Sequence, residues 1–213
     1  MLGSLVYGVD ILWSIVYGVY VDERSTGRKI ARAARRLLDA EGADAVTMRR
    51  VAGAVGITPM ALYRHYKDRE GLLNALADEG FEDLAARLNG AALSGGIGER
   101  LAQLGDVYLD HALENPRLFE LMFLKPRPGA RRYPEDFRAG LSPTANPAAE
   151  VIREGMEAGY FRPGDAWEIT FEVGALIQGL ILLYLGGRMS FSAEEFRGFY
   201  RRALRRYVDG LRS

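Results

Sequence analysis

Apolar residues recur at spacings of three and four along most of this chain, and no segment shows the strict alternation of a half-buried strand. The first helix is predicted at 27–40, with its stripe ending just before Gly42. Further amphipathic or apolar helices are predicted at 69–88, 97–114, 116–124, 147–158, 165–185 and 192–211. The segment 125–146 is rich in Pro, Gly and Arg and is predicted to be a long surface loop with one helical turn at 134–137. The pattern therefore predicts an all-α protein.

Two short helices separated by one glycine are predicted between Thr47 and Tyr66. Thr47 can cap the first helix, and the apolar positions of that helix fall at helical spacing: Met48, Val51, Ala52 and Val55. Gly56 suits the tight conformation that ends a helix. Thr58 followed by Pro59 suits the start of the second helix, because proline at the first position loses no hydrogen bond. This arrangement is typical of a helix-turn-helix that enters a DNA major groove.

The string GITPMALYRHYKDREGLL at 56–73 resembles the DNA-binding signature of the TetR family of transcriptional regulators. The helix before it and the connection ADAVT at 43–47 fit that family too, so the resemblance covers about 28–79. It implies an N-terminal three-helix DNA-binding module followed by a larger helical ligand-binding and dimerisation domain. We therefore expect an apolar extension at 1–24, a DNA-binding domain at 25–72 and a ligand-binding and dimerisation domain at 73–213.

The resemblance also implies roles for single residues. Thr47 is expected to reach a phosphate, and Arg49 a base edge, preferably guanine, because its planar fork donates two hydrogen bonds to O6 and N7. Met60 and Ala61 can contact thymine methyl groups. The residues expected to contact DNA are Thr47, Arg49, Thr58, Pro59, Met60, Ala61, Tyr63, Arg64, His65 and Arg69. Tyr63, His65 and Arg69 resemble the family's clamps on the DNA backbone, with core packing left open as an alternative for Tyr63 and His65.

The formal charge of the chain is zero, but the charges are unevenly distributed. Residues 28–69 contain ten basic and four acidic side chains, a net charge of +6, so the remainder of the chain carries −6. A basic block beside a helix-turn-helix favours a double-stranded DNA operator as the partner. The alternative is that these charges only solvate the first helix.

The C-terminal half resembles a ligand-binding subfamily of the same family. The strings that carry this resemblance are NPRLFELMF at 115–123, EAGYF at 157–161, QGL at 178–180 and GR at 187–188. The subfamily is named for a Trp, a His and a Gly in its long penultimate helix. Gly179 matches that pattern, whereas Gly174 stands at the Trp position and Gln178 at the His position. The ligand chemistry of the histidine is therefore not carried over to this chain.

Several apolar and aromatic side chains in the C-terminal half, together with a few polar groups, predict a site for a small lipophilic effector. The candidates are Tyr108, His111, Phe119, Met122, Phe123, Met156, Trp167, Phe171 and Gln178. Most of them can equally be ordinary core, and His111 can lie at the surface. Gln178 is the strongest polar candidate, because an amide in an apolar helix needs a partner if it is buried.

The last two predicted helices indicate a homodimer. The segment 169–185 is apolar around most of its circumference, more than the core of one subunit can cover. A second stripe at helical spacing comprises Phe196, Tyr200, Leu204, Tyr207 and Leu211. The family resemblance implies a two-fold four-helix interface there, which would present two recognition helices to a pseudo-palindromic operator.

Other functional classes find little support in the sequence. The chain has no cysteine and only two histidines, which excludes disulfides and thiolate chemistry and disfavours a metal site. No nucleophile–base pair, carboxylate–histidine cluster or phosphate loop is present, so the sequence argues against an enzyme, and no cofactor is expected. We expect a cytoplasmic repressor that a small molecule releases from its operator.

The segment 1–22 is nearly all apolar, with Asp10 as the charge near its centre. It lacks the basic start and the small-residue cleavage pattern of a secretory signal, and Asp10 disfavours a membrane span. A packed arm, a leader from an upstream start or from cloning, and a membrane contact remain open. The alternative function is a regulator that receives its signal from a protein partner or a membrane through this extension.

Overall fold

The computed structural model describes residues 25–213. The apolar extension, and with it the three interpretations of that segment, lies outside the described residues. Within 25–213 the regular elements are helical, and an isolated bridge pairs Phe161 with Arg212. The predicted all-α fold class is therefore confirmed.

The described residues contain ten α-helices. They are α1 (25–41), α2 (Met48–Val55), α3 (Pro59–Tyr63), α4 (Arg69–Asn89), α5 (Ile97–Glu114), α6 (Pro116–Leu124), α7 (Glu135–Arg138), α8 (Asn146–Glu157), α9 (Ala166–Leu185) and α10 (Ala193–Gly210). A short 3₁₀ turn at Ala43–Ala45, which the sequence did not predict, joins α1 to α2. The chain divides into two compact units between Leu76 and Ala77, within α4. The division expected from the sequence falls four residues earlier, after residue 72.

The first unit has a small apolar core to which each of its helices contributes. Its buried side chains include Ile30, Ala34, Leu38, Val51, Ala52, Leu62, Leu72 and Leu76. Helix α1 contributes Ile30, Ala34 and Leu38 to this set, and α3 contributes Leu62, which is fully buried. Because α3 has only five residues, this one anchor leaves the rest of its side chains available on the outside.

The second unit is a helical bundle in which α5 packs against α8 and α10, and α9 packs against α8 and α10. Gly155 of α8 permits one of these close approaches. A Cβ at this position would lie 2.5 Å from Cδ2 of Phe161 and 2.9 Å from Cγ2 of Ile97. Any larger residue must therefore displace the buried Phe161 ring and Ile97.

Helix α9 is apolar but only partly covered. By length and composition alone it could cross a membrane, yet only 22% of that stretch is buried within the chain. Thr170, Val173, Ile177 and Ile181 form its buried side. Elsewhere on the helix Phe171 is 43% and Leu183 47% exposed. The single chain thus leaves apolar surface of α9 uncovered.

The stripe predicted to add α10 to a subunit interface is largely internal. Phe196, Tyr200 and Leu204 are buried within the chain, and the Tyr200 hydroxyl donates a 2.8 Å hydrogen bond to the Gly105 carbonyl of α5. The assignment of these three residues to an intersubunit surface is therefore wrong. Helical spacing identifies an apolar face, but it does not tell whether the same chain or a second copy covers that face.

Candidate nucleic-acid interface and ligand site

Side-chain caps define the two helices of the helix-turn-helix. The Thr47 hydroxyl oxygen accepts a 3.3 Å hydrogen bond from the Arg50 N–H, at the start of α2. Gly56 ends that helix in the left-handed conformation, with φ of 76°. The Thr58 hydroxyl oxygen accepts a 3.2 Å hydrogen bond from the Ala61 N–H, and Pro59 occupies the first turn of α3. The caps predicted from the sequence are confirmed.

Most of the residues predicted to contact DNA are accessible. Met60 is 70% and Tyr63 48% exposed, so the alternative of Tyr63 as a core residue is wrong. The other exposed candidates are Arg49, Thr58, Pro59 and Arg64. Thr47, Ala61, His65 and Arg69 are half-buried. The outer side of α2 and α3 therefore presents a mixed face of small, apolar and basic side chains.

Arg49 and Arg50 are neighbours with different surroundings. Arg50 forms a two-point ion pair with Glu41, with Nη1–Oε2 and Nη2–Oε1 distances of 2.9 and 2.6 Å. The hydrogen bond from this pair raises the pKa of Arg50 further above its ordinary value. Arg49 is exposed and makes no ion pair within residues 25–213. Its fork of donors is therefore available to an acceptor outside the chain.

Arg69 has an internal role that the sequence did not predict. Its Nε donates to the Val46 carbonyl at 2.8 Å, and its Nη2 donates to the Ala43 carbonyl at 2.7 Å. These bonds hold the connection that leads to Thr47, the cap of α2. The guanidinium thus positions the start of α2 from within the unit, and its expected contact with a DNA phosphate stays a prediction.

His65 lies beside α1. A Cβ at Gly27 would be 3.8 Å from Nδ1 of His65, and the imidazole is half-buried. This position fits the packing alternative for His65, while its contact with a DNA phosphate stays a prediction.

The basic block retains most of its charge at the surface. Arg35 pairs with Asp39 in α1 at 2.8 Å, as Arg50 does with Glu41. Seven basic side chains of this block are exposed and form no ion pair within the described part of the chain: Arg28, Lys29, Arg32, Arg36, Arg49, Arg64 and Lys67. The first unit therefore carries a concentrated positive field.

In the second unit, four rings from α4, α5 and α6 form an aromatic cluster: Phe81, Tyr108, Phe119 and Phe123. Phe123 is the centre of the cluster, with ring centroids 5.1 Å from Phe81, 6.0 Å from Tyr108 and 4.6 Å from Phe119. Phe81 is absent from the candidates predicted by the sequence, because its spacing in α4 is that of an ordinary core position. The structure therefore brings three of the predicted ligand residues together and adds a fourth ring.

Gln178 of α9 meets this cluster through Tyr108. The Tyr108 hydroxyl donates a long, 3.5 Å hydrogen bond to Oε1 of Gln178. Burial raises the pKa of Tyr108 well above its ordinary value, so the hydroxyl keeps its proton and remains a donor. The half-buried amide of Gln178 thus has a hydrogen-bond partner, and the pair gives the aromatic cluster a polar end.

The other candidate ligand residues occupy different positions. His111 is completely buried, with Nε2 3.5 Å from Oδ2 of Asp83, so its alternative placement at the surface is wrong. Met122 is also buried, and its sulfur would lie 2.7 Å from a Cβ at Gly80. Met156 lies beside Gly164, with its Cε 3.7 Å from a Cβ built there.

Trp167 and Phe171 lie outside the aromatic cluster. Trp167 lines a surface cleft of about 290 Å³ together with Arg138, Asn146 and Arg153. Phe171 stacks on Tyr133 of the long loop, with ring centroids 4.4 Å apart. Both residues lie near the start of α9, where helical spacing alone cannot distinguish a pocket wall from a loop-docking surface.

A basic unit with a capped helix-turn-helix, followed by a larger helical unit, defines a helix-turn-helix regulatory protein. Residues 30–76 match the family model described as bacterial regulatory proteins, tetR family. Residues 101–207 match the model described as Tetracyclin repressor-like, C-terminal domain. The chain belongs to the TetR family.

Individual proteins show the same relationship. The tetracycline repressor protein class A from transposon 1721 of Escherichia coli is 30% identical over 156 residues, which cover 72% of this chain and 64% of that protein. An HTH-type transcriptional repressor of Mycobacterium tuberculosis is 36% identical over 75 residues, or 35% and 40% of the two chains. The matches thus span less than two thirds of these curated relatives.

The fold is also found among solved structures. A protein of unknown function from Rhodococcus sp. RHA1 is 28% identical, with a TM-score of 0.73. The similarity covers 88% of this chain and 96% of that one.

Proposed function

We propose that this protein is a dimeric DNA-binding transcriptional regulator, a repressor that a small lipophilic ligand releases from its operator. The observation that carries the proposal is the exposed face of α2 and α3, where Arg49 and Arg64 lie beside Met60 within a strongly basic unit. The names of the two curated relatives, both repressors, support the same function.

DNA recognition is divided between positioning and base contacts. The Thr47 hydroxyl accepts a backbone N–H but keeps its own proton, which it can donate to a phosphate oxygen. The exposed Arg49 fork suits O6 and N7 of guanine, and Met60 suits a thymine methyl group. Helix α3 is short and anchored by the buried Leu62, so its outer side chains can enter the major groove.

A second copy of the chain is the proposed partner for α9. The exposed Phe171 and Leu183 leave apolar surface that a two-fold related α9 can bury. On α10, the half-exposed positions Phe199, Ala203 and Tyr207 recur every four residues beside the buried stripe. We assign the α10 part of the interface to these residues in place of the buried set. Two copies then offer two recognition helices to an inverted repeat.

The aromatic cluster and Gln178 form the proposed effector site. Four rings supply apolar contact area, and the Tyr108–Gln178 pair supplies a polar end that can reorient towards a ligand. An effector releases DNA only if it binds the released shape more tightly than the DNA-bound shape. Helix α4 provides the means, because it begins in the DNA-binding unit and carries Phe81 of the cluster.

A mobility-shift assay on DNA from upstream of the protein's own gene tests this function. We expect a specific, competitor-resistant complex that an extract containing the effector dissociates. A protein that binds no upstream fragment, or binds all DNA equally, would contradict the proposal. Repeating the assay with residues 1–22 removed tests the alternative signal route, since unchanged release by the extract would argue against that route.

A further inference from the structure

We propose that the effector is an amphipathic organic carboxylate, with its carboxylate bound by Arg127 and its apolar body on the aromatic cluster. This inference rests on the proposed ligand-released function and names the class of ligand. The residues that carry it are Arg127, in the loop after α6, Asp78 of α4 and Phe81 of α4.

Arg127 is a buried cation in a loop otherwise rich in exposed residues. Its side chain is only 9% exposed, and its Nε is buried without a hydrogen-bond partner among the described residues. Placing a guanidinium in such surroundings is costly unless its donors are satisfied. An exposed arginine would serve equally well to solvate the loop, so solvation does not account for this burial.

The partner of Arg127 leaves part of the guanidinium unused. Asp78 pairs with Nη2 through Oδ1, and its own side chain is 62% exposed. The Nε–H and one Nη2–H of an arginine point in parallel along one edge, which matches the two oxygens of a carboxylate. Asp78 occupies one of these two donors. A ligand carboxylate can take both, with Asp78 released to water.

An apolar path runs from this cation to the polar end of the proposed site. The guanidinium carbon of Arg127 lies 5.0 Å from the centroid of the Phe81 ring. Phe81 contacts Phe123 edge-on at 5.1 Å, and Phe123 is next to Tyr108 at 6.0 Å. Tyr108 then bonds Gln178. Along this path a cation is followed by an aromatic surface and then by an amide. This order suits a molecule with an anionic head and an apolar body.

The same geometry describes how such a ligand would act. Asp78 lies on α4, the helix that the ligand must affect, and its ion pair ties α4 to the loop after α6. A carboxylate that replaces Asp78 at Arg127 breaks this tie. Binding of the ligand carboxylate to Arg127 would therefore also release α4 from the loop after α6.

Calorimetric titration of the purified full-length protein with two matched pairs of compounds tests the inference. The pairs are 2-naphthoate with 2-naphthamide and decanoate with decanamide, in which only the charge of the head differs. We expect at least one carboxylate to bind about 10- to 100-fold more tightly than its amide, as for hydrogen bonds to a charged group. Equal affinity within both pairs, or no binding by any of the four, would overturn the inference.

Three variants test whether Arg127 is the source of the preference for a carboxylate over its amide. Arg127→Met should abolish the preference for the carboxylate while amide binding persists, which also reports a folded site. Asp78→Asn should tighten carboxylate binding, because the competing charge is gone. Arg131→Met, an exposed arginine of the same loop, should change neither affinity. A carboxylate preference that survives Arg127→Met would overturn the inference.

Operator binding without any ligand is measured separately by mobility shift. If the ligand-free protein binds no operator, the proposed regulatory function is refuted whatever the titrations show. Intact operator binding with no carboxylate preference would refute only the ligand class.

Discussion

Two consecutive arginines of α2 differ in whether an acidic group of the same chain pairs with them. Arg50 faces Glu41 at the end of α1 and is neutralised by it, whereas the preceding Arg49 meets no acidic group among the described residues. Consecutive residues of a helix point about 100° apart, so neighbouring identical side chains have separate environments. Counting charges in a sequence therefore overstates the charge available to a partner.

Substitutions at Arg49 and Tyr63 should weaken DNA binding in different ways. If Arg49 makes a two-point contact with a base, Arg49→Ala costs about 1–3 kcal/mol and relaxes the preference at one operator position. Tyr63→Phe removes a hydroxyl from an exposed ring and should weaken all operator variants about equally. Affinities for a panel of single-base operator variants measure both effects. A uniform loss caused by Arg49→Ala would reassign that residue to the DNA backbone.

Arg69 should behave as a structural residue of the DNA-binding unit. Arg69→Met removes the hydrogen bonds to the Ala43 and Val46 carbonyls, which should lower the free energy of unfolding by about 1–3 kcal/mol. Chemical denaturation followed by circular dichroism measures this change, and Arg64→Met is the exposed control that should leave stability unchanged. A variant with wild-type stability but weakened operator binding would show that Arg69 acts on DNA directly.

At the scale of the helices, Gly155 is a position where packing depends on the absence of a side chain. Gly155→Ala should destabilise the second unit by about 1–3 kcal/mol, because the new methyl group would overlap the Phe161 ring and Ile97. Gly53→Ala in α2 is the matched control, since a Cβ there meets no packed neighbour within 4 Å and alanine favours a helix by about 0.5–1 kcal/mol. Thermal unfolding of both variants gives the comparison. Equal stability of Gly155→Ala and wild type would show that α8 can shift at no cost.

The helix boundaries could largely be predicted from the sequence because local chemistry sets them. Thr47, Thr58 and Ser192 each cap a helix with their own side chain, and Pro116 starts α6 directly after α5. These signals lie within a few residues of the feature they determine. The 3₁₀ turn before α2 has no comparable local signal, so the sequence did not predict it.

The site could be predicted only in part, because its contacts join distant segments. The role of Arg69 depends on carbonyls more than twenty residues earlier in the chain. The apolar stripe of α10 gives no indication that α5 and α9 of the same chain cover it. For Arg127 the sequence indicates only a polar loop, since its burial against Phe81 and Asp78 follows from tertiary packing.

For the whole molecule, the zero net charge conceals a strong dependence of DNA binding on salt. The seven exposed basic side chains of the first unit that form no ion pair within the described residues are doubled in a dimer. If six to ten DNA phosphates are neutralised, affinity should fall by roughly 10³- to 10⁵-fold between 50 and 200 mM salt. Fluorescence anisotropy of a labelled operator over this range measures the slope. A flat response would exclude an electrostatic interface formed by this unit.

Selection of bound sequences from a random DNA library tests the central claim most directly, because it reveals the preferred sequence and its symmetry in one measurement. Two α2–α3 faces related by a two-fold axis should enrich an inverted repeat, with half-site centres one helical turn of about 34–36 Å, or a multiple of it, apart. Two or more chains, always an even number, should occupy each selected site. Enrichment of a single unrepeated half-site bound by one chain, or no enrichment at all, would contradict a dimeric sequence-specific regulator.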